Sequence, residues 1–241
     1  MNEFTLDFEI LAQPDDITCG PTCLHALYRF YGRTVPLDEV IDRVKSFEEG
    51  GTLAVQLGID ALKRGFSATI YTYNLLVFDP TWADLPPGLI SQKLIEQQAV
   101  KDDAKLSFAT DAYLQFLALG GKLRFEDLTP SLIRRYVKRG VPVLTGLSST
   151  YLYQAVRERP DDNEDDDIGG YPCGHFVVIY GYNMERRTVM VADPLQDNPN
   201  EWGHRYEVDL ARLVCSILLG VLTYDDNLLI VETKRERKGR S

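Results

Sequence analysis

An α+β fold, with helices from the first half packed on an antiparallel sheet built from the second, is predicted by three features of the 241-residue sequence. Apolar residues recur at helical spacing through most of the first half, whereas apolar β-type runs bounded by turn residues gather in the second. A cysteine stands at the head of the first strong helical pattern. A histidine and an aspartate bracket the two ends of a hairpin pattern, so antiparallel pairing brings them to one end of it.

The run CGPTCLHALYRFYG places Cys23, Ala26, Leu27, Phe30 and Tyr31 on one stripe, with Pro21 suited to a first turn and Gly32 to a stop, and so predicts a helix opening at Cys19. Helices follow at 37–46, with Leu37, Val40, Ile41 and Val44 on one face, and at 52–64, closed by Gly65. Residues 66–73 alternate as a strand does. Two more helices, 88–100 and 107–119, the second ended by Gly120 and Gly121, form an extra segment. Its Leu89, Leu94, Phe108, Tyr113, Phe116 and Leu117 are assigned to the core in preference to the wall of a groove. Thr129 and Pro130 open a helix to 139, and 141–147 is a short apolar strand. A hairpin joins 176–180 to 188–192 across a polar turn, then come a helix at 207–219 and a strand at 227–231.

With 44% hydrophobic residues the chain can bury a substantial core. One domain, 1–233, is expected, with a helical insertion at about 79–126 and a solvated basic tail at 234–241. The formal net charge of −10 argues against nucleic acid as a partner, because no basic face is evident in the body. No apolar run approaches a membrane span, and the start MNEFTLDFEI lacks the features of a signal peptide, so a cytoplasmic location with reduced cysteines is expected. No cysteine or histidine pair has zinc-ligand spacing, and neither a metal nor a cofactor is expected.

Four residues carry the chemistry. Gln13 and Cys19 lie in QPDDITCGPT, His175 opens GHFVVIYGYN, and Asp193 closes VADP. A thiol at a helix N-terminus faces the positive end of the macrodipole, which favours a thiolate and then an oxyanion. An imidazole beside it, oriented by a carboxylate, completes the arrangement used for nucleophilic acyl transfer. Each residue alone is more simply a core thiol, a strand-end histidine or a turn aspartate; together, in this order, they point to a thiol hydrolase. The chain resembles the papain-like cysteine peptidases of the bacteriocin-processing type, which cut double-glycine leader peptides. The resemblance rests on Gln13, Cys19-Gly20, the helix to Gly32, GGTLAVQLGIDALKRGF, VPVLTGL, GHFVVIYGY and Asp193-Pro194. It implies Cys19 as nucleophile, His175 as base and acid, Asp193 as its orienter and Gln13 as an oxyanion donor. It also implies a peptide or protein substrate with a small residue such as glycine before the cut. Two other readings share these residues: a thiol acyltransferase of the transglutaminase or phytochelatin-synthase kind, and a peptide-binding module without catalysis.

The remaining candidates are assigned more plainly. Cys23 and Cys215 read as core thiols and Cys173 as a loop residue close to the site. His25 reads as packed, and His204 is the one rival base, with Trp202 beside it at the rim. Residues 158–170, ERPDDNEDDDIGG, hold seven carboxylates and read as a mobile loop, or else as a lid that selects basic substrates.

Overall fold

The computed structural model describes residues 3–47 and 51–234. All but the first residue of the basic tail expected at 234–241 lies outside the described residues. The helices are α1 (Cys19–Phe30), α2 (Leu37–Arg43), α3 (Ala54–Lys63), α4 (Pro87–Val100), α5 (Ala104–Ala118), α6 (Pro130–Val137), α7 (Ser149–Tyr153) and α8 (Leu210–Leu219). The strands are β1 (Glu3–Thr5), β2 (Phe66–Thr72), β3 (Lys122–Arg124), β4 (Val143–Ser148), β5 (Gly174–Asn183), β6 (Thr188–Ala192), β7 (Arg205–Asp209) and β8 (Asn227–Thr233).

The sheet runs β3-β2-β8-β4-β5-β6-β7, and β1 pairs the far end of β5. Every pairing is antiparallel except β2 with β3. Period-two alternation divides the strands between two cores. From β5, Phe176, Val178 and Tyr180 face the side covered by α1, α3 and α5, while Val177 and Ile179 face the side covered by α6 and α8. In β8, Leu229 and Val231 take the first side and Leu228 and Ile230 the second. The predicted α+β class is the one observed, with helices on both faces of the sheet.

Local signals account for most helix ends. Gly32 (φ +72°) and Gly65 (φ +88°) take the left-handed conformation after α1 and α3, where a Cβ is strained. Asp103 Oδ1 accepts the Leu106 N–H at 2.8 Å to cap α5, and Thr129 caps α6 through the Leu132 N–H. The second helix is shorter than its periodicity predicts, because the chain becomes extended at Val44, which is itself buried. The predicted helix at 207–219 is also corrected: Arg205–Asp209 is the edge strand β7, and α8 starts only where Asp209 caps it through the Ala211 and Arg212 N–H groups.

In the extra segment, Leu94 and Phe116 are fully buried and Tyr113 nearly so, all in the core that α1 and α3 share. Phe108 and Leu117 are partly buried against that core, and Leu89 is exposed. Residues 158–170 form turns rather than a regular element, pinned by bridges from Glu158 to Asp165 and Tyr171. Arg157 reaches the Asp167 carbonyl, and Arg159 pairs with Asp162.

Candidate active site

Cys19 is the first residue of α1, and the first intrahelical bond of the following turn is from the Thr22 N–H to the Thr18 carbonyl, at 3.0 Å. As the first two residues of the helix, Cys19 and Gly20 have no i−4 carbonyl within it for their amides, and Pro21 has no N–H to satisfy. Gly20 lets this helix end seat directly on β5: a Cβ there would stand 3.2 Å from the Phe176 ring and 3.4 Å from Leu57. The buried Cys23 thiol donates to the Phe176 carbonyl at 3.2 Å, a second tie between α1 and β5. The head of α1, with Cys19, is thereby held against β5 one residue beyond His175.

His175 is 6% exposed and holds Asp193 Oδ1 through Nε2 at 2.8 Å. Its ring shares a cavity wall with Cys19, whose charge and hydrogen bonding act on it, and with Nε2 held by Asp193 the nitrogen free to face the thiol is Nδ1. Burial alone would lower the imidazole pKa, but the Asp193 charge and then Cys19 outweigh it and raise it from 6.5 to about 10.

Asp193 is fully buried and fully satisfied. Oδ1 accepts from His175 and from the Leu195 N–H at 2.9 Å, and Oδ2 accepts the hydroxyls of Tyr153 at 2.7 Å and Tyr206 at 2.6 Å. Burial works against the charge, yet the histidine and the two hydroxyls hold this carboxyl below its usual range. Its backbone is tied as well, since its N–H donates to the His204 carbonyl and its own carbonyl accepts from His204 Nδ1, each at 2.8 Å.

Gln13 reaches the same place through its main chain, whose N–H donates to the Pro194 carbonyl at 2.9 Å. One Nε2 hydrogen goes to the Asp15 carbonyl at 2.9 Å, and Oε1 is buried without a donor. Gln13, Cys19, Cys173 and His175 line one cavity of about 540 Å³, with Glu158 and Asp225 further along its wall.

The other candidates fall elsewhere or play different parts. The Cys173 N–H donates to the Thr150 hydroxyl oxygen at 2.9 Å, and burial and Glu158 push its thiol up to about 12. Cys215 is exposed, contrary to its assignment to the core: α8 buries Leu213, Ser216 and Ile217 instead, and the Ser216 hydroxyl is satisfied by the Arg212 carbonyl at 2.8 Å. His25 is packed and bonds the Val35 carbonyl at 3.1 Å. His204 and Trp202 stand behind Asp193 rather than at the rim, with the Trp202 ring edge-on to Tyr153 and tilted against Tyr206. Sequence reasoning missed Tyr153, Tyr206 and Asp225, for which no motif or spacing gives a signal. Among the described residues no three His, Cys, Asp or Glu side chains gather in a way that could hold a metal ion, and no helix is long and apolar enough to cross a membrane.

The raised pKa of His175 has a measurable consequence. Stability from the protonated ring is fully present below about pH 6.5 and is lost as pH rises toward about 10. Urea denaturation should therefore show stability falling from about pH 6.5 upward, most cleanly up to about pH 7.5, before ordinary thiols and tyrosines ionise. His175→Gln should flatten that slope; an unchanged slope would mean that the ring is not charged in the folded state.

Residues 111–213, which include His175 and Asp193, match the family model described as Peptidase_C39 like family. A crystal structure of a C39-like peptidase from Bacillus anthracis aligns with a TM-score of 0.52 at 15% identity, over 98% of this chain and 100% of that one. A double glycine motif protease from an AMS/PCAT transporter, solved with its leader peptide, gives 0.47 at 13% identity over 96% and 95%. The peptidase domain of Streptococcus ComA gives 0.45 at 14% identity over 94% and 99%. No curated protein matches the sequence. By family model over residues 111–213 and by fold along nearly its whole length, this protein is similar to the C39-like, papain-like cysteine peptidases.

Proposed function

We propose that this protein is a cysteine peptidase or amidohydrolase acting through Cys19, His175 and Asp193, with residues 1–233 as one catalytic domain carrying a helical insertion at about 79–126. The observation that carries the reading is the His175 ring, held between Asp193 and the thiol at the head of α1. In the proposed reaction the Cys19 thiolate attacks the carbonyl carbon of a peptide or amide bond. The negative charge that develops on the carbonyl oxygen is met by the Cys19 N–H and by Gln13. His175 gives its proton to the leaving nitrogen as the C–N bond breaks, leaving a thioester on Cys19. Water, deprotonated by His175, then attacks the thioester and frees the acid and the thiol. Asp193 keeps Nε2 occupied, so that Nδ1 faces the reaction throughout.

Alkylation distinguishes this reading from that of a core thiol. At about pH 6 iodoacetamide should label Cys19 ahead of the other three cysteines, because an imidazolium faces it, whereas burial raises the thiols of Cys23 and Cys173. His175→Ala should remove the advantage. Peptide mapping by mass spectrometry gives the order directly, and preferential labelling of Cys173 would reassign the nucleophile.

A further inference from the structure

We propose that Asp225 is a specificity residue that receives the cationic side chain of a substrate lysine or arginine next to the scissile bond. The inference deepens the peptidase reading and rests on it.

Asp225 lies just before β8 and is 7% exposed, yet it lines the cavity that holds Cys19 and His175. The chain is built around it. A Cβ on Gly174, the residue preceding His175, would come within 1.9 Å of Asp225 Oδ2, and one on Gly146 would come within 2.3 Å of the Asp225 carbonyl oxygen. Gly220 leaves similar room, and its carbonyl accepts the Asp225 N–H at 2.8 Å. A side chain at any of these three positions would push the carboxylate away from its place beside the catalytic pair.

What the carboxylate lacks is a counter-ion. The nearby Thr223 hydroxyl donates to the Gly220 carbonyl at 3.1 Å, and among the described residues no lysine, arginine or histidine forms an ion pair with the carboxylate. Lys105, also on the cavity wall, and the His175 ring attract it from a distance without pairing with it, and the Lys105 Nζ is engaged by the Thr223 carbonyl at 3.3 Å and by the Tyr224 ring at 4.9 Å. The other charged residues on the wall, His175 aside, are Asp16, Glu158 and Asp197. A buried anion without a partner is costly, and burial raises the Asp225 pKa to about 7. A cation arriving with the substrate relieves that cost, while a neutral side chain of the same shape does not. The site is thus matched to a positive group within reach of the nucleophile.

The test uses paired fluorogenic peptides that differ only in lysine against norleucine on either side of the cut. The unmodified protein should favour lysine in one register by roughly 10²-fold in kcat/KM, the scale on which a buried charge pair discriminates, chiefly through KM. In Asp225→Asn that ratio should fall to about one. Agmatine, a small guanidinium, should slow iodoacetamide labelling of Cys19 in the unmodified protein more than butanol does, a readout that survives if the variant does not fold. Equal rates on the lysine and norleucine peptides, no protection by agmatine, or a lysine preference that persists in Asp225→Asn would each overturn the proposal and leave Asp225 as a structural acid. Failure of the peptidase reading has a separate signature: neither peptide is cut, and Cys19 is not labelled preferentially.

Discussion

Cys19→Ala is expected to abolish peptide cleavage, with kcat falling by roughly 10⁴-fold or more, because it removes the atom to which the acyl group is transferred. His175→Ala should come close to the same loss. One ring both faces the thiol and supplies the proton that the leaving nitrogen needs, so the double variant should be little worse than either single one. Gln13→Ala deletes one of several oxyanion donors and should cost less, roughly 10²–10³-fold. Asp193→Asn belongs with the milder changes in chemistry but not in stability. Four hydrogen bonds converge on that carboxylate, and an amide nitrogen at either oxygen position would face donors. Single-turnover kinetics on a cleavable peptide, with circular dichroism confirming folding, give the order. Full activity in Cys19→Ala would leave only a binding module.

Phe116→Ala should destabilise the fold by about 3–5 kcal/mol, the usual cost of truncating a fully buried phenylalanine. Phe116 lies on α5, and its ring occupies the space left by Gly58 in α3 and by Gly121: a Cβ on either glycine would stand 2.8 Å or 2.5 Å from it. The cavity created by truncation would therefore open beneath α3, which packs against β2 and β8. A urea midpoint lowered in proportion, with Cys19 still the first thiol labelled, would show that the segment at 79–126 supports the core without touching the chemistry. A change below about 1 kcal/mol would mean that the two helices are loosely attached.

The parts of this architecture legible in the sequence were those written in local periodicity and punctuation. Cys19 at a helix start, Gly32 and Gly65 as stops, and His175 and Asp193 at one end of a hairpin all follow from patterns a few residues long. The residues that escaped are placed by tertiary contacts alone. Tyr153 sits in a five-residue helix, too short to show a period, and Tyr206 in an edge strand whose pattern merges with the helix after it. Asp225 belongs to a turn between a short 3₁₀ helix, Gly220–Thr223, and β8, and carries no mark that its carboxylate enters the cavity. Cys215 shows the opposite failure: its spacing fits the apolar stripe of α8, but a serine that bonds its own helix takes the buried place.

The position of β8 governs when the site can come into being. This strand, the latest in sequence among those described, lies between β2 and β4, so without it the sheet separates into a β3-β2 piece and a β4-β5-β6-β7 piece. The helix bearing Cys19 packs on β5, while the neighbouring α3 packs on β2 and β8, so the two helices that flank the cleft share a floor only after residues 227–233 have joined it. A growing chain on the ribosome thus carries Cys19 long before its cleft is assembled, and the non-local pairing that completes the sheet is the slow kind. For the proposed peptidase, that order of assembly delays the onset of activity until residues 227–233 have joined the sheet, a timing set by topology.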